Sequence, residues 1–450
     1  MRYLNFSAIR QMLDQAEAYS ALALENGCSR GKAETILANA GLCVEKALAD
    51  FRTLEDASAK SDLEPNDYLT IQKKCEGGNT AQEVEAFEEK LAGALLGRFA
   101  GCTLGVPVEG WEISHMKNMA ESCGMAFPPE DYWTSVERPW DIQYGVDRRS
   151  LYTASEMDGV PVDDDITYVI LSLLMMEKYG KNLTTEDVGE YWKTHLSCAC
   201  TAEWAALENL KNGVPAACAA QNNNPYAQWI GALIRADGFG YACAGDPHSA
   251  ARMAYQDAYL SHRRNGIYGE MLFAAAIAAA FTVTDPLEAI RIGLREIPAT
   301  SDLYRDVQWA LDTAPEVNDY LAARKLVDER FPGMHFVHTN NNACLIVFAL
   351  HLGNKDFSRT ISNAVAMGLD NDCTAATCGS IAGAIAGRAG IAEHWTARFN
   401  NRLRTYIVGA EELTITDVLE RFTKLYRKFR NSGEQASVSD PLKKKESMPA

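Results

Sequence analysis

Apolar residues recur at helical spacing through most of the chain. Behind the acidic run Asp163-Asp164-Asp165, the residues Ile166, Val169, Ile170, Leu173 and Leu174 fall three and four apart. That is the period of a helix burying one face, with Asp163 at its cap and Gly180 at its stop. Ile36, Leu37, Ala40, Val44, Ala47 and Leu48 repeat the pattern near the start. Further helix starts are predicted at Thr184, at Asp246-Pro247 and at Asp285-Pro286, the last two with proline in the first turn. Thr80 and Glu83 have the spacing of a capping box, which predicts a helix running to Pro107. The segments NNNACLIVFALHLG and DFSRTISNAVAMG supply two more. No run alternates apolar and polar residues as strands require, so the fold class is all-α.

Two stripes of glycine interrupt this pattern. Gly93, Gly97, Gly101 and Gly105 lie four apart, as do Gly379, Gly383 and Gly387. Four-residue spacing puts each set on nearly one helix face. Glycine costs about 1 kcal/mol relative to alanine inside a helix, so a stripe implies a packing reason. Each stripe borders acidic residues: Glu109 follows the first, and Asp370 and Asp372 precede the second. Close-packed helices are expected to bring these carboxylates together with Asp163, Asp164 and Asp165.

The organisation follows from shifts in texture. Residues 1–80 read as an N-terminal helical extension, with Ala57 to Thr80 as a polar linker. Residues 81–431 read as the main domain. The tail 432–450 lacks periodicity and is expected to be disordered. Trp111 to Gly159 is irregular, holds three of the eight tryptophans, and reads as a loop region beside a pocket.

Composition narrows the function. The chain has 450 residues and a formal charge of −17, with a pI near 5.0, which disfavours nucleic-acid and anionic-membrane partners. Its twelve cysteines contain no CxxC pair, and its opening lacks an apolar leader pattern, so a reducing cytoplasmic setting is expected. Met271 to Val283 is the longest apolar run and too short to span a bilayer; a buried helix is expected there.

Three consecutive aspartates exceed what one helix cap needs. Packed together they repel unless water or cations intervene, and hard divalent ions take such oxygens as ligands. Prenyl-diphosphate chemistry is one all-α use of acidic clusters, but its DDxxD pattern fails here at Thr167 and Tyr168. Gly238 and Gly240 in GFGYACAG do not form a dinucleotide fingerprint, because the third glycine is misplaced. Trp133, Trp140 and Tyr144 are candidate base-stacking residues with core or loop packing as the default. His335 and His338 read as structural or surface groups.

The ordered motifs GALLGRFAGCTLGVPVEG, DDDITY and GLDNDCTAATCGSIAGAIAG, with HTNNNACLIVFALHLGNKDF between the last two, resemble the ADP-ribosylglycohydrolase family, of the dinitrogenase-reductase-activating glycohydrolase kind. The likeness spans about Glu85 to Arg388. It implies a single large orthogonal multi-helix domain and a magnesium or manganese hydrolase, with two ions expected. Asp163, Asp164, Asp165, Asp370 and Asp372 would hold the metal, with Asp163 standing where the family has threonine. Cys373 stands at the family's hydroxyl ligand, and neighbouring Thr374 is expected to substitute. Glu109 and Asp164 are the implied catalytic residues, and His262 and Gly105 the implied substrate contacts. The implied reaction cleaves an N- or O-glycosidic bond at the ribose anomeric carbon of an ADP-ribosyl conjugate, on a protein or a small ribosyl compound. A hydrolase of nucleosides or free ADP-ribose derivatives, and a non-catalytic ligand-binding protein, are the alternatives.

Overall fold

The computed structural model describes residues 6–55 and 62–436. They divide into two compact units: residues up to Leu63 with Phe331–Met334, and residues 64–330 with 335 onward. The first unit holds α1 (Ser7–Glu25) and α2 (Arg30–Glu55). No side chain of α1 is buried.

The second unit is a helical assembly. It opens with α3 (Tyr68–Lys74), α4 (Phe87–Gly105), α5 (Ile113–Ser122) and α6 (Asp164–Tyr179). Next come α7 (Thr185–His195), α8 (Thr201–Lys211), α9 (Ala236–Ala242), α10 (Pro247–Ser261), α11 (Asn265–Ala280) and α12 (Pro286–Leu294). The series ends with α13 (Asp302–Thr313), α14 (Tyr320–Arg330), α15 (Thr339–Gly353), α16 (Phe357–Ala366), α17 (Asn371–Ala386) and α18 (Ile415–Ala436). Among the described residues the only sheets are two antiparallel ribbons, β1 (Ile142–Gln143) with β2 (Asp147–Arg148) and β3 (Arg402–Arg404) with β4 (Glu412–Thr414). The all-α expectation holds.

The core is the antiparallel pair α4 and α17. Their glycines mesh in order. A methyl group added to Gly93, Gly97 or Gly101 would come within 3.0 Å of the backbone of Gly383, Gly379 or Ala375, respectively. The same test at Gly379 and Gly383 meets the backbone of Gly97 and Gly93. Both helices are buried along nearly their whole length. Gly387 does a different job from its stripe partners: its φ of +69° ends α17 in a conformation glycine adopts readily. The window Phe87–Val108 is long and apolar enough to cross a bilayer, yet 94% of its apolar stretch is buried inside the protein. All of α11 is likewise buried, as expected for the apolar run at Met271.

Four local expectations change. The helix through the first glycine stripe starts at Phe87 behind a left-handed Ala86 with no side-chain cap, so the Thr80–Glu83 box is not used. Trp111 to Gly159 is not wholly loop, because α5 occupies Ile113–Ser122. The compact unit that holds these helices begins at Glu64. Glu64 is buried, pairs with Arg264 and accepts from the Asp302 backbone N–H at 2.7 Å. The Asn66 side chain accepts from the Arg264 backbone N–H at 2.7 Å, and Tyr268 donates to the Pro65 carbonyl. This stretch, expected as linker, is therefore tied into the domain. At the far end α18 continues through Ala436, and the rest of the expected tail lies outside the described residues, as do residues 56–61 of the expected linker.

Candidate metal and active site

The site forms where three helix ends meet. At the end of α4 the turn Val106–Val108 leads into Glu109. Gly110 donates its backbone N–H to the Leu369 carbonyl at 3.0 Å, joining this turn to the approach to α17. Asn371 reinforces the join through its side-chain amide, which donates to the Val365 carbonyl at 3.1 Å and the Val108 carbonyl at 3.4 Å. Asp370 caps α17 by position, and Asp372 lies in its first turn. Asp163 caps α6, accepting from the Asp165 backbone N–H at 2.9 Å. Capping explains Asp163 fully; it does not explain the other carboxylates.

These residues converge. Ligand atoms of Glu109, Asp370 and Asp372 lie within 4.8 Å of one another, as do those of Asp163, Asp164 and Asp165, and those of Asp165, Asp372 and Cys373. Asp165 and Asp372 each belong to two groups, so the three form one continuous cluster. Asp163, Asp165, Asp370, Asp372 and Cys373 are buried, Asp164 is half-buried, and Glu109 opens to solvent. A hollow of about 630 Å³ lined by Pro128, Tyr320 and Arg359 contains none of these groups; chemistry, not volume, marks the site.

Arg98 supports one wall. It is fully buried in α4 and donates to Asp165 Oδ1 at 2.7 Å, the Asp165 carbonyl at 2.8 Å and Asp237 at 2.6 Å. Asp165 Oδ2 is left buried without a hydrogen-bond partner, and so is Asp372 Oδ1. Two orphaned carboxylate oxygens in one buried cluster are costly unless something positive binds them. On the opposite wall Tyr144 donates its hydroxyl to Asp164 Oδ1 at 2.9 Å and stacks on Tyr406.

Electrostatics agree. Burial first, and then neighbouring carboxylates, push Asp163, Asp370 and Asp372 well above the usual range. For Asp165, burial outweighs the pull of Arg98 and raises the pKa to about 7. Glu109 keeps open surface at the mouth while the walls crowd its carboxyl. That loss of water, followed by the Asp164 charge, raises it to about 7 against the pull of Arg149. Proton uptake is how such a cluster relieves repulsion without a cation, and a divalent ion would replace those protons. The donor set thus fits a divalent metal.

Three further expected site residues take the following positions. Gly105 is a packing position: a methyl there would collide with the Asp372 backbone. Thr374 turns back along its helix, with its hydroxyl 3.4 Å from the Asn371 carbonyl, and Cys373 faces the carboxylates instead. His262 is wholly buried, with Nδ1 2.8 Å from the Ser261 hydroxyl and Nε2 3.9 Å from Glu203. Burial, followed by Arg235 and Arg263, holds its pKa well below the ordinary value, and Nε2 has no hydrogen-bond partner. Trp133 belongs to the core, donating to the Leu104 carbonyl at 3.0 Å, and Trp140 is exposed. His338 caps α15 by accepting from the Asn340 backbone N–H.

Arg98, Asp237 and the Tyr144 hydroxyl were not singled out as parts of this site from sequence. For Arg98 a signal existed: it is the one charge in the apolar run GALLGRFAGCTLG.

The fold and site together define an all-helical domain whose acidic helix ends gather beside unpaired carboxylate oxygens. The family profile of the ADP-ribosylglycohydrolases matches residues 83–434; the chain belongs to that family. The family hydrolyses glycosidic bonds, acts on ADP-ribosylated substrates and generally uses divalent metals. One solved structure, described as an ADP-ribosylglycohydrolase-related protein complex, is 17% identical with a TM-score of 0.49, covering 76% of this chain and 98% of its own. Comparison with curated proteins found no match.

Proposed function

We propose that this protein hydrolyses the bond joining the ribose anomeric carbon of an ADP-ribosyl group to an acceptor nitrogen or oxygen. The observation that carries this reading is the pair of orphaned oxygens, Asp165 Oδ2 and Asp372 Oδ1, at the junction of the three acidic groups. With Glu109, Asp164 and Asp370 they would hold the divalent metal, magnesium or manganese by family resemblance. The overlap of the three groups supports two neighbouring ions. Such ions supply positive charge that orients water and sugar hydroxyls.

The chain's own residues divide the remaining work. Glu109, the accessible carboxylate, takes the proton of the attacking water. The water oxygen bonds to the anomeric carbon as the bond to the acceptor breaks. The electron pair leaves on the acceptor, which receives the proton. Asp164, steadied by Tyr144, fixes the adjoining wall, and Arg98 fixes Asp165.

The test is turnover of a panel of ADP-ribosylated proteins, ADP-ribosyl amino acids and nucleosides, with and without chelator. Release of ADP-ribose that stops in chelator and returns with added divalent ion supports the proposal. Turnover confined to nucleosides reassigns the substrate. Binding without turnover makes the protein a ligand-binding relative, and undiminished turnover in chelator overturns the metal mechanism.

A further inference from the structure

We infer that Cys373 makes the metal centre a mixed sulfur–oxygen site, selective for a thiophilic divalent ion such as Zn²⁺ or Co²⁺ over Mg²⁺. The inference rests on the reading of the acidic cluster as a metal site. It goes beyond that reading in assigning a donor atom and the class of ion.

The geometry is specific. Cys373 Sγ and one carboxylate oxygen from each of Asp165 and Asp372 lie mutually within 4.8 Å. Donors on one tetrahedral ion, each about 2.0–2.3 Å away, lie about 3.3–3.8 Å apart. The trio, within 4.8 Å of one another, reaches that spacing by side-chain shifts of at most about 1–1.5 Å. The sulfur is not a lone feature, because both aspartates carry a buried oxygen with no hydrogen-bond partner. Asp165 is held in place by Arg98, and Asp372 by the Gly105 contact behind its backbone. The donors are thus already positioned.

Helix geometry explains why sulfur, and not the adjacent hydroxyl, takes this place. Neighbouring residues on a helix point about 100° apart. With Cys373 directed at Asp165 and Asp372, Thr374 faces its own helix and binds toward the Asn371 carbonyl. Mg²⁺ takes oxygen ligands in near-ideal octahedral geometry and dehydrates reluctantly. Thiolate instead selects softer ions, and affinity generally rises from Mn²⁺ through Co²⁺ toward Zn²⁺. Binding forms a metal–sulfur bond and releases the thiol proton to water, with no change of oxidation state.

Titration of the metal-free, full-length protein with Co²⁺, read by ultraviolet–visible absorption, tests the assignment. The expected result is a sulfur-to-cobalt charge-transfer band that Zn²⁺ bleaches and a large excess of Mg²⁺ does not. The eleven other cysteines could give a background band, so Cys373→Thr is titrated in parallel after circular dichroism shows that it folds. In Cys373→Thr the band should vanish. Zn²⁺ affinity should fall by at least about tenfold, the loss that even an outer-sphere partner causes. Mg²⁺ affinity should hold or rise. Cobalt binding without a charge-transfer band, or with a band that survives in Cys373→Thr, overturns the sulfur ligand and leaves the metal site standing. No binding of Co²⁺, Zn²⁺, Mn²⁺ or Mg²⁺ overturns both. Should Cys373→Thr not fold, Cys373→Ser under the same titration decides between these outcomes.

Discussion

Around Arg235, the carboxylates of Glu203, Asp257 and Glu270 converge on one guanidinium, which also lies over the rings of Tyr168 and Trp192. In the cluster at the ends of α4, α6 and α17, six carboxylates gather, and Asp165 is the one with a direct arginine salt bridge. Both groups belong to the same domain and both are rich in acid. The first gathers three carboxylates on a central cation and leaves one oxygen, Glu270 Oε1, without a partner; the second gathers six carboxylates, one of them on Arg98, and leaves Asp165 Oδ2 and Asp372 Oδ1 bare. A buried charge that is paired and hydrogen-bonded serves the fold, whereas one without a partner waits for a ligand. The difference is one of degree: the Arg235 carboxylates surround a cation, whereas most carboxylates of the second cluster touch none.

Opposite outcomes for single substitutions would sharpen that contrast most. Glu109→Gln should lower kcat by about 10²–10⁴-fold, the usual worth of a general base, without lowering the urea midpoint. Equal turnover would remove Glu109 from the chemistry. Arg235→Met should do the reverse, costing about 3–5 kcal/mol of stability by stranding the carboxylates it pairs with. A chemical denaturation curve matching wild type would mean that the Arg235 network is not structural after all. Gly97→Ala tests whether the acidic ends depend on the α4–α17 contact. Overpacking should cost about 1–3 kcal/mol and reduce divalent-ion affinity together with stability, as isothermal titration would record.

The smallest effect is a pH dependence, and its response to a divalent cation distinguishes the two regions. The raised folded-state pKa values of Glu109 and Asp165, each about 7, mean that the folded protein holds protons the unfolded chain has released. Stability of the metal-free protein is then fully present below the ordinary carboxylate range. It should decline as pH rises toward about 7. A saturating divalent cation should flatten that decline. Glu203 is raised to about 7 as well, so a residual slope that the cation does not remove belongs to the Arg235 network. A decline equally steep with and without cation would break the comparison.

Much of this was legible in the chain. The glycine stripes and acidic doublets carry local periodic signals, and they named both the central helix pair and its chemistry. Long-range hydrogen bonding carries no such signal. The polar, proline-containing text around Glu64 and Asn66 reads as linker because its partners Arg264 and Asp302 are far away in sequence. The choice between Cys373 and Thr374 needed the rotation of α17, which a motif does not encode. His262 illustrates the opposite failure. A motif position suggested contact with substrate, but not the burial of the ring beside Arg235 and Arg263. The Thr80–Glu83 box had correct chemistry, but the chain enters α4 later, through Ala86.

The meshed backbones of α4 and α17 also limit how this family member can change in length. Side chains can repack around an altered neighbour; two main chains in contact have nothing to rearrange. One inserted or deleted residue in either helix would turn everything beyond it by about 100°. The remaining glycines would leave the interface, and Asp372 would swing away from Glu109. Indels in this pair should therefore be lethal to the site even where they are tolerated by the loops, and variation among relatives should be confined to substitutions that keep the register.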